Sequence, residues 1–225
     1  MRYTNIAAII DVLSRNELPL LDPTSWDDRN DRHFMNLYRG FIGAEVVYAA
    51  CCTLSNETYH HWRVFGGRNG AYLEFERAEL ERHLSTLVDT GHPITFKQVS
   101  YFTLDRIEMG RLKPGDLPFA KRWGFQAERE YRIIAEGTAS QLTYPIPLPV
   151  RLIRKVVVNP WLTKDVYESV KASMRKIDGC SKLDVGRSHL IDNTRWKVAG
   201  IKAVAAAHRK SYAFGNLRTN KAMKK

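Results

Sequence analysis

The segment Glu128-Arg129-Glu130-Tyr131-Arg132 concentrates carboxylates and guanidinium groups in one short stretch. Because side chains alternate along a strand, Glu128, Glu130 and Arg132 are predicted to share one face. Like charges two residues apart raise the pKa of one carboxylate unless a cation or ligand compensates, and such coupled groups are typical of acid, base or cation-stabilising roles. The alternative interpretation is an exposed strand face with an internal salt bridge.

A second polar segment, Trp26-Asp27-Asp28-Arg29-Asn30-Asp31, follows a turn that contains Pro23. Its acidic and amide side chains are predicted to cap a helix that begins near Asp31, by accepting hydrogen bonds from unpaired N–H groups. The functional alternative is a loop that frames a ligand, with Trp26 as a flat wall.

A third polar group, Thr53, Ser55 and Glu57, directly follows a predicted buried strand and precedes Trp62-Arg63. Polar residues at the end of a strand commonly line a cleft, and an arginine at this place is suited to hold a diphosphate through bidentate hydrogen bonds. Helical spacing favours a core position for Trp62, with Arg63 as its salt-bridged neighbour.

Other chemistries have little support in the sequence. His60 and His61 diverge on a helix, and no Cys-x-x-Cys or His-x-x-x-His pair completes a zinc site, so no metal site is predicted. No Walker loop or G-x-G-x-x-G pattern occurs. Ser55 and Ser100 lack the sequence context of a nucleophile elbow.

The elements that must position these residues alternate between helices and strands. Residues 2–22 predict strand, helix and strand, with Asn5 as a helix cap. A proline-spaced segment over 144–149 leads to the apolar run that begins at Lys155. The other predicted elements are a helix through Phe34–Phe41, a strand at Val46–Cys52, a short helix over Tyr59–Phe65, a strand at Ala71–Phe75, a helix at Glu76–Val88, strands at Ile94–Phe102, Glu128–Ile134 and Lys155–Val158, and a helix at Thr163–Lys176.

The positive charge of the chain is concentrated at its C-terminal end. Of 35 basic residues, nine lie beyond Asp192, where no acidic residue occurs. Such a segment favours nucleic acid through counterion release. We therefore predict a catalytic-sized domain over 1–192 and a basic extension over 193–225; the alternatives for the extension are a solubilising tail or a contact surface for an acidic protein. The predicted nucleic-acid contacts are Arg195, Lys197, Arg209, Lys210 and Arg218.

The composition is that of an ordinary globular protein. The 225 residues are 44% hydrophobic and 26% charged, which excludes disordered and fibrous classes. No window approaches the ~18 apolar residues of a membrane span, and no signal peptide is recognisable, so we expect a cytoplasmic protein without membrane contact. Three cysteines, two of them adjacent, are expected to be reduced.

Taken together, these segments resemble a bacterial domain-of-unknown-function family with W-D-D, W-R and E-x-E-Y-R elements. The resemblance covers residues 2–176 and leaves the basic extension outside. The matching residues are Tyr3-Thr4, Trp26-Asp27-Asp28, Asn30-Asp31, Trp62-Arg63, Gly70, Glu128-Arg129-Glu130-Tyr131-Arg132 and Val156-Val157-Val158-Asn159-Pro160.

That family distantly resembles the ADP-ribosyltransferase superfamily, with Arg2-Tyr3-Thr4 matching its opening strand and Glu130 its late glutamate. The resemblance implies an α+β fold with a split mixed sheet flanked by helices, and NAD as substrate. It implies that Glu130 stabilises an oxocarbenium-like ribose and that Glu128 orients or deprotonates the acceptor. Arg2 would hold a phosphate or ribose oxygen as a third catalytic residue. The implied NAD-binding residues are Arg2, Tyr3, Thr4, Trp26, Asp28, Tyr38, Arg39, Ser55, Trp62 and Arg63.

A second mapping onto the same superfamily remains open. Tyr38-Arg39-Gly40 resembles the Tyr-Arg-Gly of toxin-like members, Thr53-Leu54-Ser55 their Ser-Thr-Ser element, and Glu128-Arg129-Glu130 their E-x-E. The two mappings differ in the arginine that contacts NAD. Both place Glu130 at the centre.

The resemblance and the charge together predict an ADP-ribosyltransferase that modifies nucleic acid. The resemblance further implies a toxin or antiphage effector with an antitoxin or inhibitor as partner. Two alternatives stay open, a metal-dependent nuclease that uses Asp27, Asp28, Glu128 and Glu130, and a non-catalytic nucleic-acid-binding module.

Overall fold

The computed structural model describes residues 1–110, 112–138 and 141–207. The chain divides into two compact units, Met1–Ser188 and His189–Lys225. The predicted extension over 193–225 falls within the second unit. Among the described residues, no helix has both the length and the apolar character needed to cross a membrane.

The first unit alternates short strands and helices. Its strands are β1 (Arg2–Asn5), β2 (Glu17–Leu21), β3 (Val46–Thr53), β4 (Gly70–Phe75), β5 (Ile94–Gln98), β6 (Ser100–Phe102), β7 (Ala120–Arg122), β8 (Glu130–Gly137), β9 (Thr143–Pro147), β10 (Ile153–Val158) and β11 (Val185–Arg187). Its α-helices are α1 (Ile6–Arg15), α2 (Arg29–Ile42), α3 (Tyr59–His61), α4 (Arg77–Asp89), α5 (Leu104–Glu108) and α6 (Lys164–Arg175).

Among the described residues, the strands form an antiparallel sheet, a mixed sheet and a parallel pair. One has five strands in the order β5-β8-β3-β2-β9, with antiparallel neighbours. Another has four strands in the order β1-β4-β10-β11, in which β10 and β11 are parallel. β6 and β7 form a parallel pair. The predicted α+β class with mixed sheets flanked by helices is therefore confirmed.

The two larger sheets meet at one point, which we call the seam and define by Met1, Thr53 and Glu130. The Met1 amino group donates to the Thr53 carbonyl at 2.8 Å, and the Thr53 N–H donates to the Met1 carbonyl at 2.7 Å. Thr53 is also the register partner of Glu130 on β8. The start of β1, the end of β3 and the start of β8 therefore converge.

The faces of the five-stranded sheet cover two cores of different size. The main core includes Ile9, Leu13 and Ile133. Asn5 caps the N-terminus of α1 as predicted, since its side chain accepts from the Ala8 N–H at 2.8 Å. The opposite face carries a smaller core that includes Ile134 and Met35 of α2. Alternation along β8 sends Ile133 and Ile134 to these different cores.

Two predicted elements differ from the structure. The strand predicted from Glu128 begins at Glu130, because Glu128 ends a 3-10 turn (Trp123–Glu128) and Arg129 is left-handed with φ 44°. The strand predicted over Ile94–Phe102 is divided between β5 and β6, which belong to different sheets. The proline-spaced segment forms β9, whose place at the sheet edge tolerates missing donors. The three cysteines are free thiols, as expected.

Candidate active site

Five buried or nearly buried ionic side chains converge beside the seam, and we call them the charge cluster. They are Asp31, Lys121, Glu128, Glu130 and Arg132. Asp31 comes from the first turn of α2, Lys121 from β7, Glu128 from the 3-10 turn before β8, and the remaining two from β8 itself. Register places Arg132 two residues beyond Glu130 on one face of the strand, as the alternation of side chains predicted.

Arg132 joins the cluster to the smaller core. Its side chain is fully buried and donates to both carboxylate oxygens of Asp31, at 2.8 and 2.5 Å. It also donates to both carboxylate oxygens of Glu130, at 2.6 and 2.9 Å, and to the Pro118 carbonyl at 2.7 Å. The Trp26 ring covers the guanidinium carbon at 4.9 Å. These contacts fix the orientation of the Arg132 guanidinium group.

Lys121 bridges the two glutamates. Its Nζ lies 2.7 Å from Glu128 Oε2, 3.1 Å from Glu130 Oε2 and 3.6 Å from Asp31 Oδ2. Three carboxylates therefore face two cations, which leaves one excess negative charge if all five groups are ionised. A buried site of that sign favours a cation that forms next to it.

The pKa values of the two glutamates are shifted in opposite directions. Burial by itself would raise the pKa of Glu130, but the Arg132 guanidinium and the Lys121 ammonium outweigh it and lower that pKa to about 2. For Glu128 burial outweighs the hydrogen bond from Lys121, so its pKa is raised above the ordinary value. Glu130 is thus a permanent carboxylate near neutral pH, whereas Glu128 is the better proton acceptor.

An aromatic group lies on the other side of the seam. The Tyr3 ring stacks on the His61 ring at 5.4 Å between centroids, and Trp62 and Tyr72 surround it. His61 is buried, with Nδ1 2.5 Å from the Thr58 hydroxyl. Burial lowers the pKa of His61 despite a favourable interaction with the Glu128 backbone, so this imidazole is neutral near pH 7. It connects Tyr3 to the loop that carries Glu128.

The loop before Glu130 is held by the end of β3. The Thr53 hydroxyl donates to the Glu128 carbonyl at 2.5 Å, and the Ser55 hydroxyl donates to the Ala127 carbonyl at 3.3 Å. The Glu130 N–H donates to the Tyr101 hydroxyl at 2.8 Å. Thr53 and Ser55, predicted to line a cleft, therefore position the backbone of the two glutamates.

Some predicted NAD-binding residues lie apart from the charge cluster. Arg2 and Thr4 project from the face of β1 opposite to Tyr3, and Arg2 Nη1 lies 3.5 Å from the Cys51 carbonyl. Tyr38 is buried in the smaller core. Arg39 lies in the last turn of α2, beside a shallow depression that includes Asp22.

The remaining predicted residues have clear structural roles. Asp28 caps α2 by accepting from the N–H groups of Asn30 and Asp31. Trp62 is fully buried, and its indole N–H donates to Glu57 at 2.6 Å, as the core interpretation predicted. Arg63 is exposed and lies against the rings of Tyr59 and Trp161, at 5.0 and 4.4 Å.

The predicted nucleic-acid contacts are only partly described. Arg195 and Lys197 lie on an exposed helix over 194–207. Lys197 forms a salt bridge with Asp192 at 2.5 Å. Arg209, Lys210 and Arg218 lie outside the described residues.

Sequence reasoning missed Lys121 and His61 as parts of the site, and it placed Asp31 in a helix-capping or ligand-framing segment without pairing it with Arg132. Lys121 is near Glu128 in sequence, but no local pattern distinguishes it from other lysines. Asp31 and Arg132 are 101 positions apart, so their contact depends on how α2 packs on the sheet.

An apolar cleft borders the charge cluster on the side of α2. It has a volume of about 160 Å³, and Asp31 and Lys121 form part of its lining. Phe34 of α2, Phe102 of β6 and Ile107 of α5 supply its apolar walls. The cluster is therefore buried but lies next to an opening to solvent.

The carboxylates required by the nuclease alternative are separated or already paired. Asp28 caps α2, and Glu128 and Glu130 contact Lys121. Within 1–110, 112–138 and 141–207, no group of three or more His, Cys, Asp or Glu side chains is arranged to hold a metal ion.

Comparison with known proteins finds distant structural matches. The sequence matches no protein-family model and no curated protein, so the proposed relation to a domain-of-unknown-function family stays a prediction. The structure of Thermus sp. 2.9 DarT in complex with NAD+ aligns with a TM-score of 0.39 and 12% identity, over 83% of this chain and 93% of that chain. Thermus sp. 2.9 DarT in complex with ADP-ribosylated ssDNA aligns with a TM-score of 0.41 and 13% identity, over 83% and 92%.

Proposed function

We propose that this protein transfers ADP-ribose from NAD to nucleic acid, with Glu130 as the residue that stabilises the reacting sugar. One observation carries the proposal: a carboxylate that is 5% exposed and paired with Arg132 and Lys121 lies at the seam, where the first strand meets the two strands that end or begin there. A fixed negative charge at such a point is what an oxocarbenium-like transition state requires.

The proposed reaction breaks the bond between ribose C1′ and the nicotinamide nitrogen. The bonding electron pair leaves with nicotinamide, which becomes neutral, and positive charge develops on the ribose. Glu130 stabilises that charge through space and accepts a hydrogen bond from a ribose hydroxyl. An oxygen or nitrogen atom of the acceptor then bonds to C1′, and Glu128 takes its proton.

The catalytic roles of the two glutamates are assigned from the directions of their pKa shifts. Glu130 stays ionised because Arg132 and Lys121 lower its pKa, so it serves as the electrostatic group. Glu128, whose pKa is raised by burial, is the stronger base of the two and is assigned as the proton acceptor. Tyr3, on the same side of β1 as the seam, is proposed to pack on nicotinamide, and Trp26 fixes Arg132. Arg2 is proposed to hold a phosphate or ribose oxygen, because its Nη1 lies 3.5 Å from the carbonyl of Cys51, the register partner of Arg132 on β8.

Nucleic acid as the acceptor is supported by charge. Nine basic residues and no acidic residue lie beyond Asp192, and Arg195 and Lys197 are exposed. An enzyme that consumes NAD and modifies nucleic acid would harm the cell that makes it. We therefore also propose a toxin or antiphage role, with an inhibitor protein as partner.

The test compares NAD consumption by the wild-type protein, Glu130→Gln, Glu130→Asp and the control Glu168→Gln, an exposed glutamate of α6. Removing the charge should reduce turnover by about 100-fold or more. Glu130→Asp keeps the charge on a shorter side chain and should retain measurable turnover, and Glu168→Gln should match the wild type. Circular dichroism of each variant checks folding.

The proposed mechanism is wrong if folded Glu130→Gln consumes NAD at the wild-type rate. Growth of cells that express the same variants gives a second readout. Wild-type protein should arrest growth in the absence of an inhibitor, and Glu130→Gln should not. Growth arrest by both the wild-type protein and Glu130→Gln would show that the arrest does not depend on NAD chemistry. That result would contradict the proposed toxin role.

A further inference from the structure

The apolar cleft beside α2 has features of a binding site. Phe34 and Phe102 provide two aromatic walls, and both side chains are partly exposed. Asn30, Asp31 and Lys121 provide hydrogen-bonding groups at one side of the same cleft. Flat apolar walls with polar groups at one edge suit a planar heteroaromatic ring.

The size of the cleft limits what it admits. Sites for whole drug-sized or cofactor-sized ligands measure roughly 300–1,000 Å³. At about 160 Å³ this cleft holds a single ring system and not a dinucleotide with two nucleosides and a diphosphate. The whole of NAD therefore does not fit within it.

The cleft is connected to both glutamates of the charge cluster through Lys121. Lys121 lines the cleft and donates to Glu128 at 2.7 Å, while Asp31 lines it and binds Arg132. Tyr3 and His61 lie on the other side, at the start of β1. A ring in the cleft would lie next to Lys121, which contacts the glutamate assigned as the base, and away from Tyr3, which does not line the cleft.

We propose that this cleft receives one nucleobase of the acceptor, an inference that rests on the proposed function. Arg122 lines the cleft with an exposed side chain and is placed to contact the adjoining phosphate. A base stacked within a duplex has no free face to place against Phe34 or Phe102. The acceptor base must therefore be in a single strand or be extruded from the helix.

Binding without NAD tests the cleft independently of catalysis. Fluorescence anisotropy would measure the Kd of labelled single-stranded DNA and RNA of mixed sequence, with the matching duplexes as further arms. Phe34→Ala and Phe102→Ala should each weaken binding of single strands by about 10-fold, since each loses one stacking surface. Phe41→Ala is the matched control, because Phe41 is an exposed phenylalanine on the same helix away from the cleft, and it should bind as the wild type does.

Ile107→Trp provides a variant that fills the cleft instead of enlarging it. It should weaken single-strand binding in the same direction, which separates occupancy of the cleft from loss of packing. The inference is overturned if wild-type protein binds no single strand, if duplexes bind more tightly than single strands, or if all cleft variants bind as Phe41→Ala does.

Turnover measurements distinguish whether the cleft holds a base of the acceptor or the nicotinamide ring of NAD. The ratio of transfer to NAD hydrolysis without acceptor should fall about 10-fold in Phe102→Ala. If instead the KM for NAD rises and the ratio is unchanged, the cleft holds the nicotinamide ring and the inference is wrong. Failure of the proposed function looks different, because folded Glu130→Gln would then keep its NAD consumption whatever the cleft variants do.

Discussion

Two arginines in this protein lie against a tryptophan, and their surroundings give them different roles. Arg132 lies 4.9 Å from the Trp26 ring, is fully buried, and contacts the carboxylates of Asp31 and Glu130. Arg63 lies 4.4 Å from the Trp161 ring, is exposed, and donates to the Tyr59 hydroxyl. Both belonged to motifs that the sequence singled out, so burial and charged partners, more than the motif, identify the site.

Replacing each of the two arginines in turn should give the largest difference in the free energy of unfolding. Arg132→Gln leaves two buried carboxylates without their main cation and should lower the free energy of unfolding by about 3–5 kcal/mol. Arg63→Gln removes an exposed stacking contact and should change it by less than about 1 kcal/mol. Urea unfolding monitored by circular dichroism measures both values, and equal losses would contradict the distinction between the two sites.

Acidification should lower the free energy of unfolding by an intermediate amount, because it protonates Glu130. The pKa of Glu130 is about 2 in the folded protein against 4.5 ordinarily, so its ionised form contributes stability above pH 4.5 that is lost as pH falls towards 2. The difference corresponds to about 3 kcal/mol. Glu128 acts with the opposite sign, because its pKa is raised and protonation on acidification favours the folded state.

The stability difference between wild-type protein and Glu130→Gln measures this contribution. It should narrow as the pH falls from about 4.5 to 2 and be constant above that range. A difference that stays constant down to pH 2 would show that Glu130 is not held ionised by its neighbours.

Loss of a helix cap should have the smallest effect. Asp28→Ala removes an acceptor for the Asn30 and Asp31 N–H groups at the start of α2 and should cost about 1 kcal/mol. NAD turnover should persist, since Asp31 keeps its contacts with Arg132. A loss of stability as large as that of Arg132→Gln would mean that Asp28 belongs to the cluster and is more than a cap.

Local patterns predicted elements well because their causes are local. The Asn5 cap and the helix after it depend on side chains within one turn. The pairing of Glu130 with Arg132 follows from alternation along one strand. The strand was predicted to begin at Glu128. It begins two residues later, at Glu130, because Arg129 adopts a left-handed conformation.

Long-range contacts were beyond the sequence. The seam joins Met1 to Thr53, and the charge cluster joins Asp31 to Arg132 across 101 positions. Neither pair has a periodicity or a spacing that a single sequence reveals. Lys121 on β7 was also missed, because no local pattern indicates that its ammonium group contacts both glutamates.

Mass spectrometry of nucleic acid after incubation with NAD tests the central claim most directly. Wild-type protein should leave single-stranded DNA or RNA carrying a covalent ADP-ribose adduct, and folded Glu130→Gln should leave it unmodified. An adduct formed equally by both proteins, or by neither, would contradict the assignment of Glu130 as the group that enables ADP-ribose transfer.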